Sequence, residues 1–156
     1  MTLKHEDLTG QIIKAFYKVY NELGYGFLEK VYENALALEL ESMGLAVRRQ
    51  QPTRVYYSAR QVGDYYADLV VENLVIIELK CADGICEAFE AQLLNYLKAT
   101  EIEIGLLLNF GPEARVAKEA FHQRQEAPSR TYPNRIRVNP SNQCYPWSIP
   151  VEVKNG

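Results

Sequence analysis

The sequence predicts an α/β domain with the element order α-α-β-β-β-β-α-β-α. Two observations favour this class. Apolar residues recur at helical spacing over residues 8–44 and again over 86–100, and the segment between them contains short runs rich in β-branched and aromatic residues. The chain has 156 residues, of which 47% are apolar, so it is long enough to form one domain with its own core.

The two N-terminal helices are predicted from apolar periodicity and from the glycines that follow them. Residues 8–23 repeat apolar side chains at helical spacing, and the helix is expected to end at Gly24. A second amphipathic helix follows from Leu28 and is closed by Gly44.

Four strands are predicted next, over residues 47–50, 53–57, 65–71 and 74–81. The last of them is apolar on both faces up to Ile77, which is typical of a central strand covered on each side. Glu72 and Asn73 supply turn chemistry between the third and fourth strands.

The C-terminal part of the domain is predicted to contain a helix over 86–100, a strand over 104–110 and a final helix over 112–125. Pro112 suits the start of that last helix. Five prolines lie in the polar stretch that follows. The expected organisation is therefore a domain over residues 1–125 and an irregular proline-rich tail over 126–156.

Composition limits the class of protein. No run of 18 apolar residues is present, so no membrane partner is expected, and the N-terminal residues do not resemble a signal peptide. Three cysteines are too few for a disulfide framework, which favours a reduced, cytoplasmic protein, and Cys81 is expected to be a buried free thiol. The net charge of −3 weakens the case for nucleic-acid binding, although arginines cluster locally.

The segment from Asp68 to Lys80 carries the pattern that indicates chemistry. Glu78 and Lys80 are two residues apart on an apolar strand, so they face the same side about 6.5–7 Å apart. Burying such charges is unfavourable unless they are paired or bind a ligand. If the connection is the three residues 72–74, Asp68 lies opposite Glu78 on one face; a regular two-residue loop would turn it away.

Two converging carboxylates require a cation. Oxygen ligands without histidine or thiolate favour Mg²⁺ or Mn²⁺, which can polarise a phosphoryl oxygen and lower the pKa of a bound water. Lys80 could orient or deprotonate that water, or offset charge on the phosphate. From the spacing alone, an ordinary salt-bridge cluster is at least as good an interpretation.

Two helical patterns add weaker signals. Glu29 lies in the first turn of the second helix, with Tyr32 one turn later, a pattern that first-turn electrostatics and core packing also explain. Gln92, Asn95 and Tyr96 share one face of the third helix and could hold a phosphate or simply form its polar edge.

Together these segments resemble a known family. Gly26, Glu29 and Tyr32 match the signature of the GxxExxY proteins, and Asp68 followed by Glu78-Leu79-Lys80 is similar to the motif of the PD-(D/E)XK nuclease superfamily, to which that family is assigned. Residues 90–97 and 105–111 resemble later blocks of the same family, so the resemblance extends over residues 8–111.

The resemblance implies a restriction-endonuclease-like core, with a central mixed β-sheet flanked by helices. It implies that Glu29 is the acid of the helix, that Asp68 and Glu78 bind the metal, and that Lys80 is the catalytic lysine. Gln92 is similar to the polar residue on the following helix of such nucleases, and the backbone carbonyl of Leu79 is an expected further metal ligand.

The resulting hypothesis is a Mg²⁺- or Mn²⁺-dependent hydrolysis of phosphodiester bonds in nucleic acid, with DNA as the favoured substrate by analogy. Tyr32 and Tyr96 are expected to contact substrate or to support the catalytic groups. A homodimer is a further expectation, because small nuclease domains commonly pair to cut two strands. The alternatives are a catalytically silent nucleic-acid-binding or regulatory module on the same fold, and a structural interaction protein whose acidic cluster is a salt-bridge network.

Overall fold

The computed structural model describes residues 5–121 of the chain. Within these residues the elements follow one another as α1 (Glu6–Leu23), α2 (Glu29–Ser42), β1 (Val47–Tyr57), β2 (Arg60–Val71), β3 (Val75–Lys80), α3 (Glu87–Ala99), β4 (Ile104–Phe110) and β5 (Ala114–Ala120). The predicted tail at 126–156 lies outside the described residues.

The five strands form one mixed sheet in the order β1-β2-β3-β4-β5. β3 and β4 are parallel and are connected through α3, whereas the other neighbouring strands are antiparallel. A parallel pair needs such a crossover, because its second strand must begin again at the same end of the sheet. The predicted α/β class with a central mixed sheet flanked by helices is confirmed.

Helices cover both faces of the sheet. α1 and α2 pack on one face against Leu69, Ile77 and Leu108, while α3 packs on the other against Ile76 and Leu107. β4 is buried along its whole length, as a strand covered on both faces should be. Gly105 allows α3 to approach, since a Cβ there would lie 2.6 Å from Cδ1 of Leu93.

The alternation along β3 decides where its polar residues point. Val75, Ile77 and Leu79 belong to the core under α1 and α2, whereas Ile76 belongs to the core under α3. Since side chains alternate along a strand, Glu78 and Lys80 face the α3 side of the sheet.

Two predicted strands, 47–50 and 53–57, are in fact the single strand β1, so the predicted element order is wrong at this point. Gln50 has a left-handed φ of 49°, and Pro52 lies between the two predicted runs. The pairing with β2 nevertheless continues on both sides, from Arg49 opposite Leu69 to Gln51 opposite Ala67. β1 is an edge strand, where a proline is tolerated because one side of its backbone needs no partner.

The predicted final helix over 112–125 is also wrong, because residues 114–120 form β5. This segment pairs with β4 in continuous antiparallel register, from Ile104 opposite Ala120 to Phe110 opposite Ala114. Its alanine, lysine and glutamate favour a helix locally, but the open edge of β4 offers a full row of backbone hydrogen bonds. The observed order is therefore α-α-β-β-β-α-β-β.

Among residues 5–121, no helix combines the length and the apolar character that crossing a membrane requires.

Candidate active site

The connection between β2 and β3 has the length on which the predicted site depends. Val71 is opposite Val75, so residues 72–74 form a three-residue loop, in which Glu72 and Asn73 adopt left-handed φ values of 53° and 56°. The same register, continued past Leu69 and Ile77, puts Asp68 opposite Glu78. Of the two connections that the sequence left open, the structure has the one with three residues.

Beyond Leu69, a side chain of β2 forms a hydrogen bond with the backbone of β3. Oδ2 of Asp68 accepts a hydrogen bond from the backbone N–H of Leu79 at 2.9 Å. In the opposite direction, the backbone N–H of Asp68 favours the ionised Glu78 carboxylate and lowers its pKa. These reciprocal contacts fix the two acidic residues beside each other.

Glu78 is the most strongly perturbed group of this cluster. Only 2% of the residue is exposed, and Oε1 of its carboxylate has no hydrogen-bond partner. Burial, and then the negative charge of Asp68, raise its pKa to about 8, although Lys80 acts in the opposite direction. A buried carboxylate oxygen without a partner is unfavourable, and it is typical of a group that binds a ligand.

Lys80 lies next to this carboxylate, and its ammonium group also contacts an aromatic ring. Its Nζ is 3.8 Å from Oε2 of Glu78 and 5.3 Å from the ring centroid of Phe89 on α3. The cation–π contact restricts a side chain that is only 13% exposed. The ammonium group is thus fixed near the carboxylates instead of extending into solvent.

Glu29 joins the cluster from the first turn of α2. Its pKa is raised by desolvation and also by the charges of Asp68 and Glu33, while Lys80 lowers it. These electrostatic effects indicate that Glu29 lies near Asp68 and Lys80.

The prediction that Cys81 is buried is wrong, because the residue is exposed. It follows the last residue of β3, where the chain leaves the sheet, so the burial of the strand does not extend to it. Desolvation and the charge of Glu29 raise its pKa to about 11, which leaves the thiol protonated and unreactive near neutral pH.

Two polar residues of the site were missed as candidates in the sequence. Nε2 of Gln50 lies 2.9 Å from Oε2 of Glu33 and 3.4 Å from Oδ1 of Asp68, and thus connects α2 to the site. Glu33 is buried and also pairs with Lys30 at 2.7 Å. Its spacing of four residues from Glu29 could have indicated it. Gln50 gave no comparable signal, because its position depends on a left-handed backbone inside a strand.

Gln92 and Tyr96 approach the site from α3. Nε2 of Gln92 lies 3.4 Å from the hydroxyl of Tyr96, which in turn lies 3.5 Å from the carbonyl oxygen of Tyr66. Desolvation and the charge of Glu78 raise the pKa of Tyr96 to about 12, so the phenol remains a hydrogen-bond donor at neutral pH. Both residues are at the site, Gln92 through its contact with Tyr96.

Tyr32 is buried and contacts the loop that precedes its own helix, α2. Its hydroxyl donates to the carbonyl of Gly24 at 2.8 Å and accepts from the N–H of Phe27 at 3.2 Å. Its ring stacks on Phe110 at 4.3 Å between centroids. These contacts hold the loop before α2, and Glu29 follows that loop in the first turn of the helix.

Asn109 fixes the chain where it leaves β3. This buried amide accepts a hydrogen bond from the N–H of Ala82 at 3.0 Å and donates to its carbonyl at 2.8 Å. Lys80 is opposite Asn109 in the parallel register, so the amide anchors the segment that carries the lysine. Gly111 is required beside it, because a Cβ there would collide with the carbonyl of Ala82.

Replacing Asn109 with alanine is expected to lower the free energy of unfolding by about 2 kcal/mol, because the partly buried N–H and C=O of Ala82 both lose their partner. Urea denaturation measures this. Asn34→Ala is the matched control, since Asn34 is exposed and accepts only one long hydrogen bond from Arg49. Equal effects of the two substitutions would show that the Ala82 contacts contribute nothing.

The donor set suits a hard cation. Asp68 and Glu78 offer carboxylate oxygens, one of them buried and without a partner, and neither a histidine nor a thiolate competes with them. Among residues 5–121, no group of three or more acidic, histidine or cysteine side chains is placed so that it could hold a metal ion. Mg²⁺ does not require one, because it commonly binds through one or two carboxylates and retains several waters. The residues present therefore fit Mg²⁺ or Mn²⁺.

No curated protein matches the sequence. A solved structure described as the crystal structure of SSO0001 has 14% sequence identity and a TM-score of 0.48, with 75% of this chain and 60% of that protein covered. The family model described as the PD-(D/E)XK nuclease superfamily matches residues 6–122. The chain belongs to the PD-(D/E)XK nuclease superfamily.

Proposed function

We propose that this protein hydrolyses phosphodiester bonds of nucleic acid in a reaction that depends on Mg²⁺ or Mn²⁺. The observation that carries the proposal is the buried Oε1 of Glu78, which has no partner although it lies next to Asp68 and Lys80. A salt-bridge network would satisfy such an atom, whereas a metal site leaves it free to bind a cation.

Asp68 and Glu78 would hold the ion, with Glu29 and the carbonyl of Leu79 as further ligands. The bound ion would polarise a phosphoryl oxygen and lower the pKa of a water molecule. Its positive charge would also favour the ionised form of Glu78, whose pKa is raised in the metal-free protein.

The other groups act on the attacking water and on the phosphate. Lys80 presents a positive charge that orients the water and offsets charge developing on the phosphate oxygens, and Phe89 limits its movement. Gln92 and Tyr96 lie on the α3 side, where their amide and phenol can donate hydrogen bonds to the substrate.

Membership of the superfamily supports nucleic acid as the substrate, and DNA is the form that we propose. We also propose a cytoplasmic location, since Cys81 and Cys86 are both free thiols, and a homodimer as the form that would cut two strands. Gly26, Glu29 and Tyr32 support assignment to the GxxExxY proteins.

Metal removal tests the proposed function. Purified protein should cleave a labelled oligonucleotide in Mg²⁺ or Mn²⁺, lose this activity in EDTA and regain it when the ion is restored. Asp68→Asn, prepared in the same way, should be inactive under all of these conditions, because the amide is a much poorer ligand. Glu113→Gln is the control, since Glu113 is exposed and contacts only Arg115.

Equal cleavage by wild type and Asp68→Asn would indicate a contaminating nuclease and contradict the proposal. Binding of the oligonucleotide by the wild-type protein, without cleavage in either ion, would favour the catalytically silent module instead.

A further inference from the structure

The hairpin of β1 and β2 extends beyond the rest of the sheet. β1 pairs with β2 as far as Tyr57 opposite Arg60, whereas β3 pairs with β2 only at Leu69–Val71. Residues 52–66, here called the hairpin arm, therefore lie past the end of this pairing with β3. Ser58 and Ala59 form its tip, both with left-handed φ values.

The arm exposes aromatic rings and unpaired positive charge together. Its exposed large side chains are Tyr56, Tyr57, Val62, Tyr65 and Tyr66, with Tyr57 74% exposed. Arg54 and Arg60 are exposed as well, and neither forms an ion pair with any residue between 5 and 121. The one acidic residue of the arm, Asp64, accepts a hydrogen bond from Gln61. Such a patch is unusual on a surface that remains free.

The cross-strand pairing sorts these side chains onto two faces. Alternate residues of β1, together with the residues opposite them, share one face. Tyr57 and its partner Arg60 therefore lie on the same side as Tyr65, which is opposite Thr53. Tyr56, Arg54 and Tyr66 lie on the other side.

The face with Tyr57, Arg60 and Tyr65 extends towards the candidate active site. The ring of Tyr65 packs edge-on against Tyr96 at 5.7 Å, and Tyr96 lies close enough to Glu78 for its charge to raise the phenol pKa. Arg60 is eight residues before Asp68 on the same strand, about 27 Å away at the usual rise. This face thus extends from the site over a length that suits several nucleotides.

We propose that this face of the hairpin arm binds an unpaired strand of nucleic acid on its way to the active site, an inference that rests on the proposed function. Tyrosine rings give unpaired bases a surface on which to stack, and Arg60 gives phosphates a cation without a competing partner. Stacking requires an exposed base face, so a paired duplex would gain little from the rings. A second copy of the chain is the less suitable occupant, because it would bring the unpaired arginines of two arms together.

The test measures binding in EDTA, separately from cleavage. Fluorescence anisotropy with labelled oligothymidylate, oligouridylate and a blunt DNA duplex should show tighter binding of the single strands, and the first two distinguish DNA from RNA. Tyr57→Ala and Arg60→Ala should each weaken single-strand binding about tenfold. Arg60→Ala should also reduce the slope of log K against log salt by about 0.7, the value for one phosphate contact on a single strand.

Tyr56→Ala and Arg54→Ala are the matched controls, because they remove the same residue types from the opposite face. Single-strand affinity that is the same in all four variants, or that falls in the controls instead, would overturn the proposal. So would sedimentation showing a wild-type dimer that Tyr57→Ala dissociates. A wild-type protein that cleaves in Mg²⁺ while the arm variants bind normally would refute this inference alone. Normal single-strand binding with no cleavage would refute the proposed function alone.

Discussion

Replacing Lys80 with alanine is expected to reduce the rate of oligonucleotide cleavage by about 10²- to 10³-fold, the usual effect of removing one group that stabilises transition-state charge. The ammonium lies 3.8 Å from the Glu78 carboxylate and contacts the ring of Phe89, so its position is fixed beside the carboxylates. Single-turnover cleavage in saturating Mg²⁺ measures the loss in the chemical step. Binding of the oligonucleotide should change much less than the rate.

The fold should survive this substitution. Without Lys80, the pKa of Glu78 should rise further, so the carboxyl would be neutral at pH 7 and no uncompensated charge would be buried. Lys18→Ala is the matched control, because Lys18 forms an exposed ion pair with Glu39 on the outer helices. If Lys80→Ala cleaved within a few-fold of the wild-type rate, Lys80 would have no catalytic role.

Replacing Glu78 with glutamine is expected to stabilise the metal-free protein by about 3 kcal/mol at pH 7. The pKa of Glu78 is about 8 in the folded protein, against a reference value of 4.5, so folding near neutral pH must either bury a charge or take up a proton. Glutamine has nearly the same shape and carries no charge. Urea denaturation of both proteins across the pH range measures the difference.

The sign of the pH dependence follows from the raised pKa. Below about pH 4.5 the carboxyl is protonated in both the folded and the unfolded chain, so Glu78 does not disfavour folding. As the pH rises from 4.5 to 8, Glu78 ionises in the unfolded chain before it ionises in the folded protein, so the wild type loses stability. Glu78→Gln has no carboxyl at this position and keeps its stability. The difference between the two proteins should therefore grow over this window and level off above it.

Metal should remove most of this difference in stability. Mg²⁺ at a hundred times its dissociation constant would stabilise the wild type by about 2.7 kcal/mol, which raises Tm by roughly 5–10 °C for a chain of this size. Glu78→Gln should show little response. Glu41→Gln, an exposed substitution near Arg49, should respond like the wild type. An equal rise of Tm in Glu78→Gln would contradict a role of this carboxylate in binding the metal.

Much of the site could be predicted because it depends on local backbone rules. The spacing of Glu78 and Lys80 predicted that they share one face of a strand. It also showed that Asp68 would lie opposite Glu78 if the connection had three residues, as it does. The central position of β3 also followed from its continuous apolar run. These features need no knowledge of distant contacts.

The features that were missed depend on long-range pairing. The local preferences of residues 114–120 are helical, and only the open edge of β4 makes them a strand. Gln50 contacts Asp68 because β1 continues through Gln50, although the φ of this residue is left-handed. The periodicity of a single sequence does not show that the strand continues there. The stacking of Tyr32 on Phe110 could not be predicted from local spacing, because the two residues are distant in sequence.

Crystals of the protein soaked in Mn²⁺, with data collected for the anomalous signal of manganese, test the central claim most directly. We expect one ion that is bound by the carboxylates of both Asp68 and Glu78, with Oε1 of Glu78 as a ligand, and no such ion in crystals of Glu78→Gln. An Mn²⁺ ion bound elsewhere in a protein that cleaves nucleic acid, with Asp68 and Glu78 unchanged, would contradict it.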